Sequence, residues 1–499
     1  MIVITVVYYY QRGSMKHRLL PTLVLFFCCI NVTADASLVW TGVSPGDDGY
    51  SDVPWLGRVY DSGGGWIWHD SLGWLYAQGS TPASVYFYKP GLGWLWSGSS
   101  SAHTFYSWDI GGWIYHAPGT ADPQWFYDYS GSRWVADYMD GTAVTDVSAL
   151  LSALPAKHNV PAVAVSMTLH GRIVAHGWAG VRYKGHSGDV GPSSKWEVAS
   201  CSKSVACTIA AELVAEGKLH WDDKLPALLP GMTLNAGWAN VTLFDLLHHT
   251  SGIDNDTVYT YFNPYTAAGD TKTAQRRTMT AAVLSRPPAL TPQTTYKYCG
   301  VAYTIAGYIM ELKAGVSYET LVNTRIFGKL GLSSGGYLMP ATPVADRLTQ
   351  PWGHRDGRPV DPSVQENELP AIMVPCGGLN MTVDDLARYA AAHCAGELGL
   401  CTELDQTMWH TLHYTGSTAN PTYFYGWFPA SFSEIAALGP GAICHTGNNG
   451  NFSTLMIVAP STGITVVAVC NEGSTTCSDP AIHEAIAIIL ASQGFAAGK

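Results

Sequence analysis

Residues 196–204 read Trp-Glu-Val-Ala-Ser-Cys-Ser-Lys-Ser, and a predicted helix opens within them at Ser200. Beyond them, apolar residues recur at helical spacing as far as Leu213, and Gly217 stops the pattern, which predicts an amphipathic helix. Ser200 and Lys203 are one helical turn apart, so their side chains lie on the same side of the helix.

The Ser-x-x-Lys spacing suits nucleophilic catalysis. A serine hydroxyl is a weak nucleophile until a neighbour takes its proton, and a desolvated lysine can have its pKa lowered enough to help. A serine at a helix start also has backbone N–H groups aimed at developing negative charge. This pattern nominates Ser200 as nucleophile and Lys203 as its partner, although chance supplies Ser-x-x-Lys frequently.

Further segments follow in a consistent order. They are residues 246–252 (Leu-Leu-His-His-Thr-Ser-Gly), 377–379 (Gly-Gly-Leu) with 384–388 (Asp-Asp-Leu-Ala-Arg), and 445–447 (His-Thr-Gly) followed by Gly450, Phe452 and Ser453. Together with residues 196–204 they resemble the serine β-lactamase and penicillin-binding superfamily. The resemblance is to the branch that holds class C β-lactamases, D-alanyl-D-alanine carboxypeptidases and related esterases.

The resemblance spans roughly residues 145–495 and implies an α+β fold, in which an antiparallel sheet is flanked by helices with a helical subdomain. The residues themselves predict two hairpins and a closing helix. The hairpins pair 163–169 with 173–177 and 454–458 with 464–470, and the helix covers 480–492. Strands from both ends of this region are expected to share one sheet.

The second motif of this branch, Tyr-x-Asn, is altered. Spacing places Tyr298 at the catalytic tyrosine and Gly300 at the asparagine, whose amide in relatives helps to orient the lysine and to hold the substrate. In the third motif, His445 stands where class C β-lactamases have lysine, as in carboxypeptidase and esterase members. Both departures move the expected chemistry away from β-lactam destruction.

By resemblance, Ser200 attacks a carbonyl and its proton passes to the Lys203–Tyr298 pair. Thr446, Gly447 and Asn448 form the substrate and oxyanion side, where the N–H groups of Ser200 and Asn448 hold the oxyanion. Tyr298 then protonates the leaving group and later activates water. His445 is expected to contact the substrate or leaving group and to charge at mildly acid pH.

The leading hypothesis is therefore a serine hydrolase that cleaves an ester or amide. The alternative is a catalytically inactive, penicillin-binding-like protein that acts as a cell-wall or glycan binding module. In that case Gly300 would reflect the loss of catalytic function. The sequence does not choose between esters, D-amino peptides and β-lactams as substrates.

The N-terminus has the pattern of an export signal over residues 1–36, with Met15 as an alternative true start. A basic start at Lys16 precedes an apolar stretch, and cleavage is expected after Ala36. A retained membrane anchor is the alternative, although the apolar stretch is short for a span. The predicted location is secreted or periplasmic.

Between residues 37 and 140 the composition changes, and 11 of the 18 tryptophans precede residue 140. Aromatic runs separated by Gly, Pro and Asp recur with a period of about twenty residues, which predicts an all-β domain of hairpin repeats. Residues 141–499 then form the hydrolase domain. The repeats loosely resemble those of cell-wall, choline- and glucan-binding modules.

Two interpretations of these rings remain open. Exposed Trp and Tyr faces suit stacking on sugars or a wall polymer, whereas the same rings could form the core of the β-domain. Alternate residues of a strand face opposite ways, so both can hold.

Composition excludes some partners and cofactors. A net charge of −11 argues against nucleic acid as a partner. No cofactor fingerprint is present, and the adjacent His248 and His249 lack further ligands at zinc spacing, so no metal is expected. In an exported chain, Cys394 with Cys401 and Cys470 with Cys477 are close enough in sequence to form disulfides.

Overall fold

The computed structural model describes two sheet-based regions, one rich in exposed rings and one with helices on both faces. The described residues are 46, 49–89, 93–107, 112–117, 124–129, 133–137, 144–169, 171–339, 349–362, 364–399, 401, 404–431 and 438–495. The predicted export signal and Met15 lie outside them. Within these ranges, no helix has both the length and the apolar character that crossing a membrane demands.

The first region is a ten-stranded antiparallel meander. Its strands are β1 (Tyr50–Val53), β2 (Gly57–Gly63), β3 (Trp66–His69), β4 (Gly73–Thr81), β5 (Ser84–Lys89), β6 (Gly93–Ser97), β7 (Thr104–Ser107), β8 (Gly112–His116), β9 (Gln124–Asp128) and β10 (Arg133–Asp137). The rings of His69 and His116 are 6.3 Å apart although five strand spacings separate β3 from β8. A flat sheet would hold them about 24 Å apart, so the sheet is rolled with one face inward.

The second region contains the remaining strands. They are β11 (Thr145–Asp146), β12 (Ala162–Leu169), β13 (Arg172–Gly180), β14 (Lys195–Glu197), β15 (Gly336–Tyr337), β16 (His354–Arg355), β17 (Arg358–Pro359), β18 (Leu379–Thr382), β19 (Phe428–Pro429), β20 (Ile443–Asn448), β21 (Ser453–Ala459) and β22 (Ile464–Cys470). Seven of them form one sheet in the order β11-β13-β12-β22-β21-β20-β19. Because β12 pairs directly with β22, the prediction that strands from both ends share a sheet is confirmed, as are both hairpins.

Helices cover both faces of this sheet. They are α1 (Ser148–Leu151), α2 (Leu154–His158), α3 (Ser202–Ala215), α4 (Leu225–Leu228), α5 (Leu243–Leu247), α6 (Asn255–Tyr259), α7 (Lys272–Leu284), α8 (Gly300–Ala314), α9 (Tyr318–Leu321), α10 (Gly328–Leu330), α11 (Val374–Gly377), α12 (Val383–Glu397), α13 (Gln406–Tyr414) and α14 (Thr475–Ser492). Separate buried clusters lie on the two faces: α1, α2 and α14 pack on one, and α3, α8 and α12 belong to the other. The α+β prediction is thereby confirmed.

Three local expectations need correction. The closing helix α14 begins at Thr475, so Pro480 lies inside it instead of at its start. Helix α3 is buried continuously from Ser202 to Leu213, so it is a core helix and not an amphipathic one, because other elements surround it. Cys394, Cys470 and Cys477 are free thiols, so neither the suggested Cys394–Cys401 disulfide nor the suggested Cys470–Cys477 disulfide is present.

Candidate active site

The turn that carries Ser200 joins a strand to a helix. Strand β14 ends at Glu197, a 3-10 turn covers Ala199–Cys201, and α3 begins at Ser202, two residues later than the sequence indicates. Ala199 has φ of 44°, a left-handed conformation that a residue with a Cβ rarely adopts. Such strain is characteristic of functional turns, and here it lies directly before the proposed nucleophile.

Strand β20 packs tightly against this turn. A Cβ atom at Gly447 would lie 2.2 Å from the carbonyl oxygen of Val198, so only glycine permits the approach. On either side of Gly447, Thr446 and Asn448 are exposed, and Asn448 lines the cleft beside Ser200. The His-Thr-Gly segment therefore lies next to the serine, as the resemblance implies.

Lys203 lies buried beneath the serine. Its Nζ donates hydrogen bonds to Ser200 Oγ at 3.0 Å and to the carbonyl oxygen of Cys376 at 2.7 Å. Burial lowers the pKa of Lys203, but ionised Tyr298, Cys376 and Cys299 would favour the charge more strongly, so the pKa lies above its ordinary value. The expectation of a lysine with a lowered pKa is therefore wrong, and Lys203 remains a charged hydrogen-bond donor.

Tyr298 contacts the same ammonium. Lys203 Nζ lies 4.6 Å from the centroid of the Tyr298 ring and 5.5 Å from that of Tyr303, within the range of cation–π attraction. Tyr298 is 36% exposed, whereas Tyr303 is fully buried. The partly exposed ring of Tyr298 therefore lies between the buried ammonium of Lys203 and the solvent.

Two buried histidines surround this group. Burial and the Lys203 charge lower the pKa of His445 to about 3, so its expected titration at mildly acid pH is wrong. His445 is 1% exposed and is not among the described residues that line the cleft over Ser200. Burial likewise lowers the pKa of His249, whose ring centroid is 4.3 Å from that of Tyr298.

The ring nitrogens of these histidines have defined roles. The carbonyl oxygen of Thr446 lies 2.5 Å from His445 Nδ1, which must carry the hydrogen. The backbone N–H of Cys299 donates to His249 Nδ1 at 3.0 Å, so the hydrogen is on Nε2. Both Nε2 atoms are buried without a hydrogen-bond partner in the structure, so a neutral acceptor and a neutral donor lie near Lys203.

A cleft of about 630 Å³ opens over Ser200. Its walls are formed by Ala199, Ser200, Lys203, Tyr259, Phe262, Asn263, Pro264, Tyr265, Arg355, Glu366, Asn367, Glu368, Leu369, Pro370, Cys376, Gly377, Asn448 and Asn449. Arg355 is fixed at the rim by a 3.0 Å hydrogen bond from Nη2 to Asn451 Oδ1. The cleft is therefore lined by both polar and aromatic side chains, as small-molecule sites commonly are.

Glu197 lies behind the serine turn and is completely buried. Burial raises the pKa of Glu197 to about 8, against the effect of Asn449, which donates from Nδ2 to Oε2 at 2.8 Å. The other carboxylate oxygen, Oε1, is buried without a partner. A protonated Glu197 thus connects the Ser200 turn to the segment that follows β20.

The space beside Gly300 is occupied by a thiol. A Cβ atom at Gly300 would lie 3.0 Å from Cys376 Sγ and 3.3 Å from Met373 Cε. Cys376 therefore fills the room that an asparagine side chain would need, while its carbonyl oxygen holds Lys203. An asparagine at position 300 would therefore compete with the Cys376 thiol for the same space.

Sequence reasoning missed Cys376, Glu197, Asn449 and Arg355. Glu197 and Asn449 adjoin recognised motifs, and Cys376 directly precedes the Gly-Gly-Leu segment, so position along the chain was an available signal for those three. Arg355 comes from the β16–β17 hairpin, which no motif indicated.

His248, the other member of the His248–His249 pair, lies in surroundings that indicate a structural role. His248 is buried between the carbonyl oxygens of Phe244 and Thr415, at 3.0 and 2.8 Å. In the part of the chain that the structure describes, no three His, Cys, Asp or Glu side chains converge as a metal site would require.

Comparisons with known proteins agree with this geometry. The Beta-lactamase family model matches residues 147–491. Penicillin-binding protein 4 of Amycolatopsis lactamdurans is 26% identical over 340 residues, covering 65% of this chain and 84% of the relative. A putative D-alanyl-D-alanine carboxypeptidase of Escherichia coli K12 is 25% identical over 324 residues, covering 57% and 70%.

Solved structures share the fold. SurE aligns with a TM-score of 0.54 at 21% identity, over 71% of this chain and 76% of that one. The octameric penicillin-binding protein homologue from Pyrococcus abyssi aligns with a TM-score of 0.52 at 20% identity, over 68% and 75%. The family match and the named relatives define the class as the serine β-lactamase and penicillin-binding superfamily. The chain belongs to the Beta-lactamase family.

Glu197 predicts a specific dependence of stability on pH. The folded protein keeps this proton up to about pH 8, whereas the unfolded chain loses it at the ordinary glutamate pKa. Between those values, raising the pH favours unfolding by about 1.4 kcal/mol per pH unit through this group. Urea unfolding should show wild-type stability falling relative to Glu197→Gln from about pH 5 to about pH 8. Glu366→Gln, at an exposed carboxylate of the same cleft, should leave the slope unchanged, and parallel curves for wild type and Glu197→Gln would contradict the assignment.

Gly300→Asn should displace Cys376 and with it the carbonyl oxygen that holds Lys203. Overpacking of this kind lowers the free energy of unfolding by about 1–3 kcal/mol. Combining the change with Cys376→Ala should recover most of the loss, because the methyl group leaves room for the amide. Thermal unfolding of both single variants and the double variant measures this coupling, and additive effects would show that the two side chains do not compete for one space.

Proposed function

We propose that this chain is an exported serine hydrolase that forms an acyl-enzyme on Ser200 and cleaves an ester or an amide. The observation that carries the proposal is the 3.0 Å hydrogen bond between Lys203 Nζ and Ser200 Oγ at the base of an open cleft. Membership of the Beta-lactamase family supports the reaction class.

The charge of Lys203 shapes the proposed mechanism. A fully protonated pair could not accept the serine proton, so the Lys203–Tyr298 pair, in which Nζ lies over the Tyr298 ring, enters the step one proton short and takes the proton from Ser200. Ser200 Oγ then bonds to the carbonyl carbon, and the oxyanion is held by the backbone N–H groups of Ser200 and Asn448. Tyr298 returns the proton to the leaving group, and later takes one from the water that releases the acyl group.

His445 takes a different part from the one first expected. We assign it a positioning role, because it is buried, neutral at working pH and close enough to Lys203 for that charge to lower its pKa. The exposed Thr446 and Asn448 provide the surface that a substrate would touch on this side.

The substrate class is inferred from the relatives and from Gly300. Relatives are named as a penicillin-binding protein and a putative D-alanyl-D-alanine carboxypeptidase. Without an amide at position 300, one hydrogen-bonding group for a substrate amide is missing. We therefore favour esterase or D-alanyl peptidase activity over β-lactam destruction.

A non-catalytic binding protein is the second candidate, and Gly300 is the feature that favours it. Against it, Ser200, Lys203 and Tyr298 are all retained and adjacent, and the lysine still bonds the serine. A site that had lost its activity would have no reason to keep the Lys203 ammonium buried, because taking a charge out of water costs free energy.

Covalent labelling tests the proposal. Wild-type protein should react with a fluorophosphonate probe or a fluorescent penicillin, and Ser200→Ala should abolish the adduct because the bond forms at Oγ. Mass spectrometry of the labelled peptide locates the adduct. Labelling that persists in Ser200→Ala, or no labelling of wild type by either probe, would favour the non-catalytic candidate. A panel of short-chain esters, D-alanyl peptides and a chromogenic cephalosporin then identifies the substrate.

Tyr298→Phe should lower the acylation rate by about 10²–10⁴-fold, the usual contribution of a positioned acid–base group. Tyr296→Phe is the matched control, because that ring lies two residues away and packs against Tyr423 and His249. It should stay within a few-fold of wild type. Stopped-flow labelling measures both rates, and equal effects of the two substitutions would remove Tyr298 from the mechanism.

A further inference from the structure

The inward and outward faces of the rolled sheet carry different kinds of side chain. Along β3 to β8, the buried inward positions hold mostly aliphatic residues and phenylalanines, namely Ile67, Leu75, Val85, Phe87, Leu95, Phe105 and Ile114. The polar residues His69, Lys89, Ser97, Ser107 and His116 are buried on the same face. The outward rings on the same strands are all tryptophan or tyrosine. Since the inward residues already form a core, the outward rings are not needed to make one.

These outward rings are well exposed. Trp66, Trp74, Tyr86, Tyr88, Trp94 and Trp113 each expose between 37% and 47% of their surface. The described outward strand positions from β3 to β8 include no charged residue; besides the rings they hold polar neutral side chains such as Gln78, Ser84 and Thr104. We call this surface the aromatic face.

The rings form rows across the strands. One row pairs Trp66 with Tyr76, Tyr76 with Tyr88, and Tyr88 with Trp94 in direct register. A second row runs from Tyr86 through Trp96 and Tyr106 to Trp113. Neighbouring strands are about 4.8 Å apart, so each row presents rings in a line that suits an extended polymer.

Neighbouring rings also fix one another. Trp66 and Tyr76 pack edge to face with centroids 5.4 Å apart, and Tyr88 and Trp94 do so at 5.5 Å. Rings held this way lose little side-chain freedom when a ligand binds, which improves affinity. The aromatic face is therefore preorganised.

We propose that the aromatic face binds a neutral polysaccharide, with sugar rings stacked on the tryptophan and tyrosine rows. The absence of charge disfavours nucleic acids, anionic wall polymers and anionic membranes, all of which require basic residues. Protein interfaces are enriched in Met and Arg besides aromatic residues, and this face has neither at its outward strand positions. Flat rings with one polar edge match the alternating apolar faces and hydroxyl edges of sugars.

Co-sedimentation of the full chain with insoluble cellulose, chitin and β-1,3-glucan tests the proposal. Binding to at least one of them is expected, and it should change little between low and high salt because no ion pairs form. Trp66→Ala/Trp94→Ala, at the two ends of the first row, should weaken binding by about tenfold or more. Trp66→Tyr/Trp94→Tyr is the matched control and should stay within a few-fold, since it keeps the rings.

Each single alanine variant is measured as well, with near-ultraviolet circular dichroism to check the fold, so a failure of the double variant to fold does not end the test. The proposal is overturned if no polysaccharide sediments the protein, or if the folded alanine variants bind as wild type. It is equally overturned if the substitutions instead abolish self-association or binding to phosphatidylcholine vesicles. Labelling of Ser200 is independent of all these outcomes, so the hydrolase proposal stands or falls separately.

Discussion

The buried ammonium of Lys203 constrains the arrangement of the hydrolase region. A charge taken out of water costs several kcal/mol unless hydrogen bonds and nearby electron density compensate for it. Here the Cys376 carbonyl oxygen, Ser200 Oγ and the rings of Tyr298 and Tyr303 do so. The carbonyl oxygen is fixed because α11 leads through the glycines into β18, and β18 pairs with β14 directly before the serine turn.

The positive charge of Lys203 also influences the protonation state of the neighbouring histidines. It acts with burial to keep His445 and His249 neutral, so the imidazoles supply a hydrogen-bond donor and an acceptor instead of further cations. The motifs alone do not reveal these charge states, because they depend on burial and on contacts between elements that are distant in the chain.

Strand pairing, the hairpins and the approach of Ser200 to Lys203 were predictable because period, turn residues and helical spacing are local properties of the sequence. The burial of His445, the raised pKa of Glu197 and the continuous burial of α3 were not, because each depends on elements distant in the chain. In the aromatic region, alternation was visible in the sequence, but which rings face outward depends on the direction in which the sheet rolls. Only the structure separates the buried Phe87 from the exposed Tyr86 and Tyr88 on one strand.

The contacts around Cys376 explain how the site accommodates Gly300 in place of the asparagine. In relatives, that amide helps to orient the lysine, so its loss would be expected to disable the nucleophile. Here a backbone carbonyl, that of Cys376, orients Lys203, and the thiol of the same residue fills the space that the amide would occupy. The orientation of Lys203 therefore does not depend on a side chain at position 300. For this reason the loss of the asparagine is compatible with the hydrolase that we propose, in which Ser200 is acylated, and with the preference for esters that we infer.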